Sequence, residues 1–182
     1  RIWVATGTAV GYLTGSAPTW RFEVLDGTNL ISLPVFAFAQ DAEGGVWLAS
    51  ESGATRWTES GGFERVVELD GKRVNAVYQA HDGVLWFGTR SDGMLRRVGG
   101  QWQTLDGLDG VRLNDVVVNG IGETPDGNLW VGTYNDGLWK YRDERWERMD
   151  MNLATAEKLG YVRRDSQGNY HEVQRGNQRS DQ

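Results

Sequence analysis

The sequence predicts an all-β protein, specifically a β-propeller present as a partial array of about four blades of four antiparallel strands. Tryptophans recur 44, 39 and 44 residues apart, at Trp3, Trp47, Trp86 and Trp130. A second aromatic residue follows each of them by 17, 16, 16 and 16 residues, at Trp20, Phe63, Trp102 and Trp146. Asp-Gly turns separate the short aromatic runs, which is typical of β-hairpins. A strand-rich period of this length indicates propeller blades.

The composition excludes several classes of protein. The 182 residues include 25 Gly and 9 Trp but no Cys, so disulfides and thiolate metal sites are absent. A net charge of −6 argues against nucleic acid as a partner, because nucleic acid is bound by clustered Lys and Arg. No apolar run approaches the roughly 20 residues that a membrane-spanning helix needs.

The repeat divides the chain into blades. Residues 1–26 are predicted as a partial first blade, 27–70, 71–106 and 107–150 as blades 2 to 4, and 151–175 as a degenerate fifth; 176–182 form a polar tail. The chain lacks an initiator Met and begins inside a repeat. We therefore expect a piece of a longer polypeptide, truncated at both ends and forming an open arc.

Each full blade is predicted to hold four strands, A to D, counted outward from the propeller axis. In blade 3 they are Val74–Ala80, Val84–Thr89, Met94–Val98 and Gln101–Leu105. In blade 2 they are Val35–Gln40, Val46–Ala49, Ala54–Thr58 and Phe63–Leu69, and in blade 4 residues 115–119 or a little beyond, Leu129–Gly132, Leu138–Arg142 and Arg145–Met149. Blade 1 keeps strands B to D, at Ile2–Ala5, near Tyr12 and Leu13, and at Trp20–Leu25.

The strand patterns favour a propeller over a sandwich. The run from Val84 to Phe87 is apolar on both faces of the pleat, as expected for a blade with neighbours on both sides. Strand D is more polar, as in Arg145-Trp146-Glu147-Arg148, which suits an exposed edge. In the fifth unit, residues 161–164 could form strand A, and His171 stands where tryptophan is expected.

The repeated motif resembles a known family. The pattern Gly-x-Leu-Trp-x-Gly-Thr-x-x-x-Gly-Leu-x-x-Tyr, in residues 127–141, is similar to the two-component-regulator propeller repeat, and blade 3 matches it from Gly83 to Gly93. Blade 2 departs from it, with Leu48-Ala49-Ser50 in place of the residue-Gly-Thr triplet. The resemblance covers roughly residues 1–150.

The resemblance implies an extracytoplasmic, periplasmic or extracellular, sensor segment of a bacterial hybrid histidine kinase or a related signalling protein. Implied partners are a small-molecule or oligosaccharide ligand, a second copy in a homodimer, and the remaining blades and signalling domains of the same polypeptide. The segment itself is then not an enzyme, although the full-length protein can carry a kinase domain. No cofactor is expected.

Candidate binding residues lie on the D–A and B–C loops, which share one face around the propeller channel. Arg guanidinium groups beside amides and Tyr suit carboxylate or hydroxyl recognition, as in acidic oligosaccharides. The predicted ligand-binding residues are Arg73, Asn75, Arg90, Asp92, Arg112, Asn114, Tyr134 and Asn135, with Asn29 and Glu51 on the same face. Solvated loop residues without a ligand remain the plain alternative.

The sequence also offers other functions. The repeated tryptophans could stack on sugars, but their fixed place on strand B favours packing between blades. A propeller lyase or glycan hydrolase needs a converging His or paired carboxylates, whereas the chain has only His81 and His171, and His81 is predicted on the opposite face. The Asp-Gly turns lack the spacing of a calcium loop, so no metal site is expected. A dimerisation scaffold is the third alternative.

Overall fold

The computed structural model describes residues 1–25, 31–105, 117–134, 136–149, 162–167 and 169–172. They form one three-stranded, three four-stranded and one two-stranded antiparallel sheet, and each sheet is a simple meander. Blade 1 contains β1 to β3, at Ile2–Ala5, Val10–Thr14 and Arg21–Val24. Blade 2 contains β4 to β7, at Val35–Gln40, Val46–Ser50, Gly53–Thr58 and Gly62–Arg65.

The later blades repeat this order. Blade 3 contains β8 to β11, at Val74–Gln79, Leu85–Thr89, Met94–Val98 and Gln101–Leu105. Blade 4 contains β12 to β15, at Val118–Glu123, Leu129–Thr133, Leu138–Arg142 and Arg145–Met149. Two short strands, β16 and β17, follow at Val162–Arg164 and Tyr170–Glu172. The predicted all-β fold is confirmed, while the blade boundaries between the strands stay predictions and the polar tail lies outside the described residues.

Two predicted strands differ from those observed. Against a predicted 115–119 or a little beyond, the inner strand of blade 4 is observed at Val118–Glu123, because pairing of Glu123 with Leu129 carries it up to the next turn; residues 115 and 116 lie outside the described residues. In blade 2 the predicted outer strand ends early, at Arg65. A 3-10 turn at Val67–Leu69 follows it and brings Leu69 into the core, where its side chain is fully buried.

The sheets approach one another mainly through their first two strands, since β8 lies against both β4 and β12. Within the described residues there is no helix of the length and apolarity that crossing a membrane requires. The inner strands thus stand side by side, and their shared end is the natural place for a central site.

Aromatic side chains join neighbouring blades. The ring of Trp47 in blade 2 lies 5.3 Å from that of Phe87 in blade 3, edge to face. Trp86 in turn packs 5.1 Å from Tyr141 of blade 4. Trp47 and Trp86 are each 2% exposed, which confirms that they pack in the core, whereas Trp3 and Trp130 are half-buried. Edge-to-face pairs of this kind stabilise beyond the area that they bury.

The glycines of the Gly-Thr pairs are not equivalent. A Cβ added to Gly88 would lie 2.3 Å from Cγ1 of Val118 in the next blade, so glycine is required there. At Gly132, among the described residues, the atom nearest to an added Cβ is the Gly120 carbonyl oxygen at 3.9 Å, so no close contact is seen there. Gly93 and Gly137, in the B–C turns, take positive φ angles of 68° and 81°, which glycine adopts without strain.

One position, six residues before each strand-B tryptophan, organises the A–B turn. Asp41 accepts hydrogen bonds from the Gly45 amide at 2.7 Å and from the Trp47 indole at 2.8 Å. Thr124 accepts from the Trp130 indole at 3.2 Å. Blade 3 has Ala80 at this position and therefore no such acceptor. Within the described residues the Trp86 indole N–H has no hydrogen-bond partner.

Candidate ligand-binding cleft

The inner strands of three successive blades share an irregularity. The pairing register shifts between Val35 and Ala37 in β4, between Val74 and Ala76 in β8, and between Val118 and Gly120 in β12. The extra residue at each shift is Phe36, Asn75 or Asn119. A bulge turns a side chain away from the regular alternation of a strand. All three side chains line one cleft.

The B–C turns contribute the opposite wall of the cleft. The Thr89 hydroxyl donates to the Gly93 carbonyl at 2.8 Å and accepts from the Asp92 amide at 2.8 Å. Thr133 makes the same two bonds in blade 4, at 2.8 and 3.0 Å. The threonine of the Gly-Thr pair thus closes the turn, and the residue that follows it is set at the rim.

Each rim residue is tied to the start of its own inner strand. The amide of Arg90 donates to the Arg73 carbonyl at 2.9 Å, and the amide of Tyr134 donates to the Val117 carbonyl at 2.9 Å. These equivalent bonds give the two blades one local geometry. The Tyr134 side chain is 80% exposed and stands free at the rim.

Together these elements enclose a cleft of about 540 Å³ that spans blades 2, 3 and 4. Its size falls within the range of small-molecule sites, roughly 300–1,000 Å³. Two guanidinium groups, two carboxamides, a phenol and a phenyl ring face it. The lining residues are Phe36, Arg73, Asn75, Arg90, Val117, Asn119 and Tyr134.

Hydrogen bonds fix part of this lining. Arg73 donates through Nε to Asn75 Oδ1 at 3.1 Å, and its NH1 lies 3.2 Å from Glu51 Oε2. The Asn75 amide nitrogen in turn donates to the Val118 carbonyl of the next blade at 3.1 Å. The wall formed by blade 3 is therefore ordered before any ligand arrives.

The structure brings four of the predicted site residues together, namely Arg73, Asn75, Arg90 and Tyr134. Asp92 is absent from the lining, and its carboxylate accepts from Lys72 Nζ at 2.9 Å. Glu51 acts indirectly, through Arg73. The other predicted members of this face, Arg112, Asn114, Asn135 and Asn29, lie outside the described residues. Whether the cleft binds a ligand stays a prediction.

Sequence reasoning missed Phe36, Val117 and Asn119. A signal was present, because Phe36 and Asn119 occupy in their blades the place that Asn75 has in blade 3. Aligning the inner strands on the valine that precedes each of them would have found both. Val117 aligns in the same way with Arg73.

The opposite face carries the one histidine whose side chain is described. The imidazole of His81 contacts the carboxylate of Glu123, and the His81 amide donates to the same carboxylate at 2.9 Å. This hydrogen bond and the negative charge of Glu123 raise the pKa of His81 above its usual value. His81 thus lies away from the cleft, as predicted. Within the described residues no cluster of three His, Cys, Asp or Glu could hold a metal ion.

The comparison with family models supports the repeat. Residues 68–91 and 112–135 match the model of the two component regulator propeller. These segments contain the first two strands of blades 3 and 4. These two segments thus match the repeat of that family. No curated protein matches the sequence.

Solved structures share the propeller fold at low identity. The extracellular domain of the hybrid two component system BT4673 from B. thetaiotaomicron is 14% identical with a TM-score of 0.68, over 92% of this chain and 24% of that one. That of BT3049 is 20% identical with a TM-score of 0.64, over 93% and 24%. A streptogramin B lyase is 14% identical with a TM-score of 0.61, over 92% and 62%. The chain thus spans about a quarter of the length of the Bacteroides domains.

Proposed function

We propose that this propeller segment, built from two-component-regulator repeats, binds a ligand in the cleft on its inner strands. It would do so as the sensing part of an extracytoplasmic signalling protein. The main support for this proposal is the cleft itself. Three consecutive blades each contribute to it the extra residue of the bulge in their inner strand. A pure scaffold has no need of one polar cleft built from the same three positions.

The lining favours a ligand that combines an aromatic-stacking surface with hydroxyl or carboxylate groups. The guanidinium groups supply forked donors, Asn119 supplies an amide donor and acceptor, and Tyr134 offers an exposed ring. An acidic oligosaccharide meets all of these conditions. No catalytic role is proposed, because the described histidine lies on the other face.

The setting of the segment belongs to the same proposal. The family match and the Bacteroides domains support a place in the periplasm or outside the cell, with signalling domains and further blades on the same polypeptide. Ligand occupancy would then be passed to a histidine kinase domain. A homodimer stays a prediction.

Thermal unfolding with a panel of acidic and neutral oligosaccharides tests the proposal. A ligand that binds only the folded state raises the melting temperature in a concentration-dependent way. The shift should disappear in Tyr134→Ala and Asn119→Ala, and should persist in Asp126→Asn on the opposite face. A melting temperature that no saccharide changes, or a shift that survives both cleft substitutions, contradicts the proposal.

A further inference from the structure

The two guanidinium groups of the cleft stand in different electrostatic situations. That of Arg73 is engaged on three sides, by the Glu51 carboxylate at 3.2 Å, by Asn75 Oδ1 at 3.1 Å and by the Phe36 ring 4.5 Å from its Cζ. The carboxylate neutralises its charge and the ring covers one of its planar faces. Its Nε and NH1 donors are thus already engaged, and NH2 is the group that remains for a ligand.

The guanidinium group of Arg90 is free by comparison. Its backbone amide is tied to Arg73 and the preceding Thr89 closes the turn, so the base of the side chain is held firmly. In the part of the chain that the structure describes, no carboxylate, carbonyl or aromatic ring pairs with its guanidinium. The nearby Asp92 is engaged by Lys72 instead. Five N–H donors and a full positive charge therefore face the cleft and the solvent.

We infer that Arg90 is the anion-binding residue of the cleft and that Arg73 is a positioning residue. The ligand must then carry a carboxylate, which a free guanidinium binds through two parallel hydrogen bonds. Because Glu51 already balances the charge of Arg73, Arg90 supplies one unpaired positive charge to the cleft, which matches a ligand with one negative charge. This inference rests on the proposed function and narrows the ligand from one with hydroxyl or carboxylate groups to one that carries a carboxylate.

Chemical modification with phenylglyoxal, mapped by peptide mass spectrometry, tests the difference between the two side chains without any ligand. Arg90 should be modified several-fold faster than Arg73, because an engaged guanidinium is a poorer nucleophile and is shielded. In Glu51→Gln the Arg73 rate should rise while the Arg90 rate stays unchanged. Equal rates in the wild-type protein, or a faster Arg73, overturn the inference.

Binding of defined probes, followed by isothermal titration and by protection of Arg90 from phenylglyoxal, tests the ligand class. The probes are oligogalacturonate, its methyl ester, and a short peptide with a free or an amidated C-terminus. These arms separate a sugar acid from a peptide carboxylate as the source of the charge. The free acid should bind at least about ten-fold more tightly than its neutral form, the loss expected for one charge-assisted pair.

Substitution separates the two roles. Arg90→Gln should weaken binding of the acid at least about ten-fold more than binding of the ester, so that the preference for the acid is lost, and Arg90→Lys should restore part of it. Arg73→Gln should weaken acid and ester alike. If the ester binds as well as the acid, the inference is overturned and the proposed function stands. If no probe binds the wild-type cleft, both are overturned.

Discussion

The guanidinium of Arg96 in blade 3 donates to both carboxylate oxygens of Glu144 in blade 4, at 3.1 and 3.2 Å. Its counterpart in blade 2, Arg56, instead donates within its own blade, to Asp41 at 2.7 Å. Blade 3 has Ala80 at the position that Asp41 occupies in blade 2. Without an internal carboxylate, Arg96 joins two blades.

This bond should couple the two blades energetically. We expect a double-mutant cycle of Arg96→Met and Glu144→Gln to give a coupling free energy of about 0.5–1 kcal/mol, kept small because the Glu144 carboxylate is mostly exposed. Urea unfolding of the four proteins measures it. The exposed pair of Arg142 with Asp143 serves as the control cycle and should show no coupling. Equal values for the two cycles contradict the prediction.

Restoring the missing carboxylate should reverse the arrangement. In Ala80→Asp we expect Arg96 to turn back to its own blade and the Trp86 indole to gain an acceptor. The coupling between Arg96 and Glu144 should then disappear. Ala80→Asn has the same shape without the charge and should retain most of the coupling. A cycle that is unaffected by the aspartate shows that position 80 does not decide the partner of Arg96.

The two Gly-Thr glycines offer a matched comparison. Gly88→Ala places a methyl group 2.3 Å from the Val118 side chain and should lower the free energy of unfolding by about 1–3 kcal/mol. Gly132→Ala meets nothing closer than 3.9 Å within the described residues and should be neutral or slightly stabilising, because alanine restricts the unfolded chain. Chemical denaturation compares the two. Similar losses at both positions argue against close blade packing as the role of Gly88.

The contact between His81 and Glu123 should depend on pH. Because the pKa of His81 is raised in the folded protein, the contribution of this contact is fully present below the unfolded pKa of about 6.5 and is lost as the pH rises through the folded value. In Glu123→Gln the pKa of His81 should fall toward its usual value, although Asp82 still raises it slightly.

Titration of the imidazole resonances by NMR measures this effect directly, with His171 in the same spectrum as an internal reference. The difference in unfolding free energy between wild type and Glu123→Gln should be larger at pH 5.5 than at pH 8.5. If His81 has the same pKa in the wild type and in Glu123→Gln, the contact with Glu123 does not raise it and the prediction is wrong.

Sequence periodicity predicted the fold well because each repeat contains its own turn residues and apolar strand pattern. The strands Met94–Val98 and Arg145–Met149 lie at the predicted residues. Asp92-Gly93 and Gly99-Gly100 flank the first, and a tight turn at Asp143 and Glu144, both with positive φ, precedes the second. Blade 4 shows the limit, because the start of its inner strand has no turn signal beside it. The bounds of this inner strand are set by its pairing with Leu129–Thr133, and the sequence of the strand alone does not show which residues it pairs with.

The cleft could be predicted only in part for a related reason. Arg73, Arg90 and Tyr134 follow from loop positions, which the repeat reveals. The contribution of Phe36 depends on a bulge, and a bulge is a property of two paired strands that neither strand shows alone. The difference between Arg73 and Arg90 depends on Glu51, a residue 22 positions from Arg73 in the chain.

The close approach of the inner strands gives each blade the mechanics of a lever. The outer strand β15 lies about 14 Å from the inner strand β12, three strand spacings of roughly 4.8 Å. If a blade tilts by about 5° around its inner strand, the cleft stays nearly in place, whereas the outer strand moves by about 1 Å. The same rotation therefore moves the outer strand much further than the inner strand. Spectroscopic labels at Gln101 and Arg145, on adjacent outer strands, are placed where that arc is longest.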